Sequence, residues 1–325
     1  MKLSPTKVYR TSLWLLAIAL LFSTVWNLPI AFAPLLPAYP VVTGEKPLRF
    51  VIVAPLSDSH TWTKVAQGAR SASEALQLNV EFTSPRHAAV AEQIRLIDSA
   101  AAAQVDGIIT LGVPDAEVAA AVARAADRGI PVVTAEVDLP DPGRRLAYVG
   151  TDNYEAGRLA AYELLLRTGG KAVVGIVRGH FGPAEEDLRI KGFQDVLATA
   201  PDVRIVAIES SNSNRTLAGQ KALAIIEQFP DVNVFYATTV QDTIGVAQSI
   251  TAKGIRNRIL LIGWDVNGEA DEVLVRGGLH AVILQDPEAM GRRAVQVLEA
   301  YLRRDLRPDS TTYIPVMIRS GGAAR

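Results

Sequence analysis

Arg49-Phe50-Val51-Ile52-Val53-Ala54 is a run of β-branched and aromatic residues with one charge at its start, and residues 61–76 after it carry an alanine-rich helical pattern. A short apolar strand followed by a helix opens a βαβ unit, whose parallel strands are buried on both faces. The alternation continues outward from there. Residues 79–82, 107–111 and 131–134 read as strands, with helices near 88–103 and 115–127. After a strand at 146–150 the rhythm restarts, with strands at 172–177, 203–208, 234–236, 259–262 and 281–284. Helices fall near 156–167, 184–199, 216–229, 243–253 and 269–275. A long helix over 287–303 precedes a terminal strand around 312–318. Two α/β halves, each able to bury its own core and joined without a flexible linker, imply two Rossmann-like lobes with parallel sheets and a hinge of crossing segments.

The chain has 325 residues, 33 of them Lys or Arg and 34 Asp or Glu, so no excess of positive charge is available to attract a polyanion. Nucleic acid is not an expected partner. Cysteine is absent, which excludes disulfides, thiolate nucleophiles, thiolate metal sites and acylation at a lipoprotein cysteine. His60, His87, His180 and His280 lack metal-ligand spacing, and no Gly-x-Ser-x-Gly elbow, phosphate loop or His-Glu-x-x-His motif is present. Neither an enzyme nor a cofactor or metal site is expected.

Lys2, Lys7 and Arg10 precede an uncharged stretch over 11–42, densest over 13–22, which is the pattern of an export signal. Ala31-Phe32-Ala33 has the small-x-small form of a cleavage site, although Pro34 follows it directly. The apolar stretch is also long enough for a membrane-spanning hydrophobic helix, so residues 1–46 are a signal peptide or an anchor plus a spacer stiffened by Pro34, Pro37 and Pro40. Either way the remaining chain lies outside the cytoplasm, because the positive flank stays inside.

In open parallel sheets ligands bind beyond the carboxyl ends of the strands. The polar residues there are Ser57, Asp58 and Ser59, then Glu136 and Asp138, Thr238 and Thr239, Asp265, and Gln285 with Asp286. Two sheets facing each other bring these groups to one interlobe cleft.

An ordered series of short elements now resembles the type I periplasmic sugar-binding proteins, in particular the ribose-binding and autoinducer-binding group, over about residues 48–319. It consists of Gly68-Ala69, Asp106-Gly107-Ile108-Ile109, Gly129-Ile130-Pro131-Val132-Val133 and Thr151-Asp152-Asn153 with Gly157. Arg189 ahead of Gly192-Phe193, Pro230-Asp231-Val232, Gly263-Trp264-Asp265 and Gln285-Asp286-Pro287 with Gly291 complete it. The resemblance implies three chain exchanges between the lobes, near Gly150, Gln285 and Pro308. The first lobe then comprises 47–151 and 286–308, and the second 152–285 and 309–325, so that the terminal strand returns to the second lobe. It implies that Trp62 stacks on the ligand, Arg189 grips oxygens through its donor fork, Asp265 accepts from hydroxyls and Gln285 lies at a crossing. The residues themselves leave plainer roles open: a helix core position for Trp62, a solvated arginine, a helix N-cap at Asp265 and hinge bonding at Gln285.

Departures from the pattern bear on the ligand. Ser59 and Thr239 stand where the family often has asparagine, Ser213 where a second ring often sits, and Glu136-Val137 with Asp138 where an Asp-Arg pair is usual. The expected ligand is a sugar or sugar-like polar solute, delivered to an ABC transporter permease. The alternative is a membrane-tethered sensor reporting to a histidine kinase or chemoreceptor. A Lac repressor-like regulator core is disfavoured, because an apolar, proline-rich segment occupies the place of its helix-turn-helix.

Overall fold

The computed structural model describes residues 46–56, 59–86, 89–180, 184–265 and 278–321. The N-terminal segment read as signal or anchor, Ser57, Asp58, His87 and the helix expected over 269–275 lie outside the described residues.

The first sheet contains β1 (Arg49–Val53), β2 (Asn79–Thr83), β3 (Gly107–Leu111), β4 (Val132–Glu136), β5 (Ala147–Thr151) and β11 (Thr311–Ile314), in the order β2-β1-β3-β4-β5-β11 and all parallel. The second contains β6 (Ala172–Arg178), β7 (Val203–Ser210), β8 (Val234–Ala237), β9 (Leu260–Trp264), β10 (Ala281–Leu284) and β12 (Met317–Ser320), wound identically as β7-β6-β8-β9-β10-β12. Among the described strands only β12 runs antiparallel to its neighbour. Alternation of side chains along each strand feeds two core layers per sheet. Phe50 and Ile52 meet Val133 and Met290 on one face, while Val51 and Val53 meet Ile97 and Val118 on the other. In the second lobe Val174 and Ile176 join Phe193, and Val177 joins Phe235 and Val246.

The helices are α1 (His60–Leu76), α2 (Val90–Ala102), α3 (Ala116–Asp127), α4 (Asn153–Thr168), α5 (Ala184–Leu197), α6 (Arg215–Gln228), α7 (Val240–Ala252) and α8 (Pro287–Arg304). Six begin with a side-chain cap at Ser59, Asp115, Asp152, Asn214, Thr239 or Asp286, which satisfies backbone N–H groups otherwise orphaned at a helix start. These caps follow the carboxyl ends of strands closely, so polar residues concentrate at that edge of each sheet.

Helix α8 returns to the first lobe and packs on α1. A Cβ on Gly291 would lie 1.9 Å from the Val65 carbonyl oxygen, and one on Gly68 would lie 1.9 Å from that of Glu288. The second lobe repeats the device between α4 and α5: a Cβ on Gly157 would meet the Arg189 carbonyl at 1.9 Å, and one on Gly192 that of Tyr154 at 2.0 Å. Backbone touches backbone at both crossings.

The single terminal strand expected over 312–318 is instead two strands in different sheets. Thr311–Ile314 pairs with Tyr148–Thr151 in the first sheet, so the second lobe does not begin at residue 309. Pro315 has no N–H to continue the ladder, and the third crossing falls between Ile314 and Met317 rather than near Pro308. The other two crossings join β5 to α4 and β10 to α8.

Gly291→Ala forces a methyl group into a carbonyl on the facing helix, where neither backbone yields cheaply. It should lower stability by about 3 kcal/mol, the upper end for overpacking, read as a fall in the urea midpoint at unchanged slope.

Candidate functional site

Both sheets aim their carboxyl ends at the space between the lobes. A chamber of about 300 Å³ there is lined by Thr61, Glu136 and Val137 from the first lobe, by Glu185, Glu186, Arg189, Ser213, Thr239, Val240, Gln241, Trp264 and Asp265 from the second, and by Gln285 at a crossing.

Arg189 sits on the first turns of α5 and is only 7% exposed. Its Nε donates to Asn153 Oδ1 at 2.8 Å and its Nη1 to the Thr238 carbonyl at 2.8 Å. The guanidinium carbon lies 3.6 Å from the centroid of the Trp264 ring, a stacked cation–π contact. Burial lowers its pKa, while Tyr236, Glu186, Glu185 and Asp265 oppose that shift; an arginine remains charged. Nη2 has no protein acceptor among the described residues. A buried, pre-oriented fork with one nitrogen left over is suited to an oxygen on a ligand.

Asp265 directly follows β9 in a left-handed conformation (φ 45°) and accepts from Gln285 Nε2 at 3.2 Å. Gln285 Oε1 in turn accepts from Thr151 Oγ1 at 2.8 Å. Glu136 ends β4 with φ of 68°, a strained geometry for a long side chain, and its carbonyl accepts from the Tyr148 hydroxyl at 2.9 Å. Its carboxylate accepts from the Trp62 indole at 2.5 Å. Desolvation raises the Glu136 pKa to about 7; the Trp62 bond and Arg189 pull it down, and Asp265 and Glu185 push it up. Ser213 and Thr239 converge at Gly179, where a Cβ would meet Ser213 Oγ at 2.7 Å and Thr239 Cγ2 at 2.9 Å.

Six of the nine residues expected at the cleft therefore share this chamber: Glu136, Arg189, Ser213, Thr239, Asp265 and Gln285. The other three do not line it. Trp62 is fully buried in the first-lobe core against Ala54, Val65 and Met290, with its N–H engaged by Glu136, so it presents no face for stacking. The ring at the chamber is Trp264. Ser59 accepts from Trp62 N at 3.3 Å and serves as the cap of α1. Asp138 turns to Arg145, which donates Nε at 2.6 Å and Nη2 at 2.5 Å and also reaches the Ser310 carbonyl at 2.6 Å. With Thr134 Oγ1 and Leu139 N also donating, Asp138 Oδ1 accepts three bonds, and the pair with Arg145 fastens the loop to the approach to β11.

A family model for the periplasmic binding protein domain matches residues 50–305. The chain belongs to the periplasmic binding protein domain family. Among its relatives, the D-allose-binding periplasmic protein of Escherichia coli (strain K12) is 23% identical over 258 residues, 77% of this chain and 83% of that protein. The xylitol-binding protein of Mycolicibacterium smegmatis is 26% identical over 234 residues, 71% of this chain and 66% of the other. The crystal structure of GanP, a glucose-galactose binding protein from Geobacillus stearothermophilus, superposes with a TM-score of 0.77 at 37% identity, covering 86% of this chain and 99% of that one. These relatives are binding proteins rather than enzymes, and the type I fold is theirs.

Sequence reasoning left out Trp264, Asn153 and Thr151, although Gly263-Trp264-Asp265 and Thr151-Asp152-Asn153 both stood among the recognisable elements of this family. Their pattern was visible. Their contact with Arg189 and Gln285 was not, since it joins segments 36 and 134 residues apart.

Asp138→Ala leaves the buried Arg145 without its counter-charge and should cost about 3 kcal/mol in chemical denaturation. Glu136→Gln keeps an acceptor for Trp62 and removes the titration. Because burial raises the native carboxyl pKa from 4.5 to about 7, the wild-type chain holds its full share of stability below pH 4.5 and loses it as pH rises through 7. Urea midpoints of wild type and Glu136→Gln should diverge over that window in favour of the variant, by at most about 3 kcal/mol.

Proposed function

We propose that the chain binds a sugar or sugar-like solute outside the cytoplasm, in the cleft between its lobes, and carries it to an ABC transporter without chemical change. The observation that carries this reading is the Arg189 fork, stacked on Trp264 and held by Asn153 and Thr238, opposite the carboxylates of Glu136 and Asp265. Hydroxyls need both kinds of partner, since each donates once and accepts twice. Trp264 is itself only 3% exposed and covered by the guanidinium, so its part is to hold the fork in a fixed direction. Relatives named for allose, ribose, apiose and xylitol support a polyhydroxylated ligand. Those named as import binding proteins favour transport over a sensing role.

Closure about the three crossings follows from this reading, as in other two-lobed binders. Export with residues from about Glu45 outward follows too, on the charged start and apolar stretch of the sequence; full-length protein confined to the soluble cytoplasmic fraction would overturn it.

A thermal-shift screen over pentoses, hexoses and polyols tests the ligand class, because a ligand at 100 times its Kd adds about 2.7 kcal/mol to stability. With the sugar so found, Asp265→Asn is the sharpest variant. Asparagine accepts the left-handed backbone of that position, so the apo melting temperature should stay put. Loss of a charge-assisted hydrogen bond, about 1.5–3 kcal/mol, should weaken binding ten- to a hundredfold in calorimetry. Unchanged affinity would remove Asp265 from the site.

A further inference from the structure

A second, larger chamber of about 800 Å³ adjoins the one beside Arg189 and shares Glu136, Val137 and Glu185 with it. Its walls come from both lobes and from two crossings: Pro114, Leu139 and Pro140 on one side, Ala184 and Leu188 on the other, with Thr151, Asp152 and Asn153 and then Thr311 and Tyr313 from the hinge. Tyr148, Tyr154 and Tyr313 all line it. The hydroxyls of two of them are already bonded, Tyr148 to the Glu136 carbonyl at 2.9 Å and Tyr154 to Asp195 at 2.8 Å, and Tyr148 is only 6% exposed, so ring surface for a ligand comes chiefly from Tyr154 and Tyr313. Leu188 and Tyr313 are 43% and 56% exposed, large apolar groups left open at this place.

We propose that the ligand is a glycosylated sugar, one ring lying in the small chamber beside Arg189 and a second in the large chamber among the tyrosines. This rests on the sugar-binding reading above and narrows it. A chamber of about 300 Å³ stands at the lower bound for ligand pockets, enough for one ring and its hydroxyls. The adjoining space is more than twice as large, and its lining adds tyrosines and prolines, with the carboxylates of Glu136, Asp138, Glu185 and Asp152 at intervals. A second sugar ring matches both features, since its C–H faces pack on rings while its edge hydroxyls donate to carboxylates. The shared wall at Glu136, Val137 and Glu185 is where the linkage between the rings passes. Lobe rotation moves atoms in proportion to their distance from the hinge. A chamber walled by the crossings themselves therefore keeps its shape on closure, whereas space at the far lip of the cleft does not.

The test is calorimetry on the full exported chain. Glucose, galactose, arabinose and xylose are compared with lactose, cellobiose, maltose, melibiose and xylobiose, on wild type and on Tyr313→Ala and Leu188→Trp. Both altered residues are exposed and lie outside the small chamber, and apo melting temperatures check that each variant is folded. The expected result is one disaccharide binding at least tenfold tighter than its component monosaccharides. Tyr313→Ala should weaken it about three- to tenfold through lost ring contact. Leu188→Trp, which fills the chamber, should weaken it more than tenfold, with monosaccharide affinity within twofold in both variants. Should a monosaccharide bind as tightly as any disaccharide, with both variants matching wild type, the second-ring assignment is overturned while the sugar-binding reading stands. If no saccharide of either set binds, that reading falls and this assignment with it.

Discussion

Contact of backbone with backbone between paired helices is the constraint on which the remaining geometry rests. Helices normally pack 8–10 Å apart because side chains intervene. At Gly157 and Gly192, and again at Gly68 and Gly291, no Cβ intervenes and a carbonyl oxygen occupies its place. The oxygen beside Gly157 belongs to Arg189, so the seating of α5 on α4 also sets where the cleft's guanidinium begins. The Gly68 and Gly291 contact holds α8 against the first lobe, and that return makes the chain cross the hinge three times instead of once. Core packing at native density then leaves no freedom for the cleft residues to drift relative to the sheets.

A chain of hydrogen bonds connects the cleft to the crossings. Arg189 donates to Asn153 just after the first crossing, Thr151 at the same crossing donates to Gln285 at the second, and Gln285 donates to Asp265 at the end of β9. Arg145 performs the parallel task on the first lobe, tying Asp138 to Ser310 on the approach to β11. Polar groups at a hinge must find partners in a confined space. Here the partners include residues that line the interlobe chamber, Arg189, Asp265 and Gln285, so the chamber and the crossings share one set of hydrogen bonds.

The departures from the family pattern acquire a physical meaning in this setting. Beyond the end of β4 Asp138 pairs with Arg145 and faces the loop, while Glu136 lines the interlobe chamber with a strained backbone and a carboxyl pushed up to about 7 by burial. Both tryptophans near the cleft are core residues. Trp62 is held in the core by its bond to Glu136, and Trp264 lies under Arg189 from the opposite lobe.

The alternation of strands and helices in two α/β halves was legible in the sequence, because buried parallel strands are short apolar runs and the helices between them carry periodic small residues, a signal written locally. Strand ends were legible for the same reason, and with them Glu136, Asp265 and Gln285 as residues facing the cleft, while Arg189, within a helix, was picked out by the resemblance alone. The sequence did not reveal that 311–320 splits into two strands, since a four-residue strand's choice of sheet depends on which edge is vacant, a property of the assembled lobes. Nor did it reveal which tryptophan faces the cleft or which acid binds Arg145. Each of those assignments is a competition among side chains brought together across the fold, decided by burial and by the nearest unsatisfied partner, and only the tertiary structure brings the competitors within reach of one another.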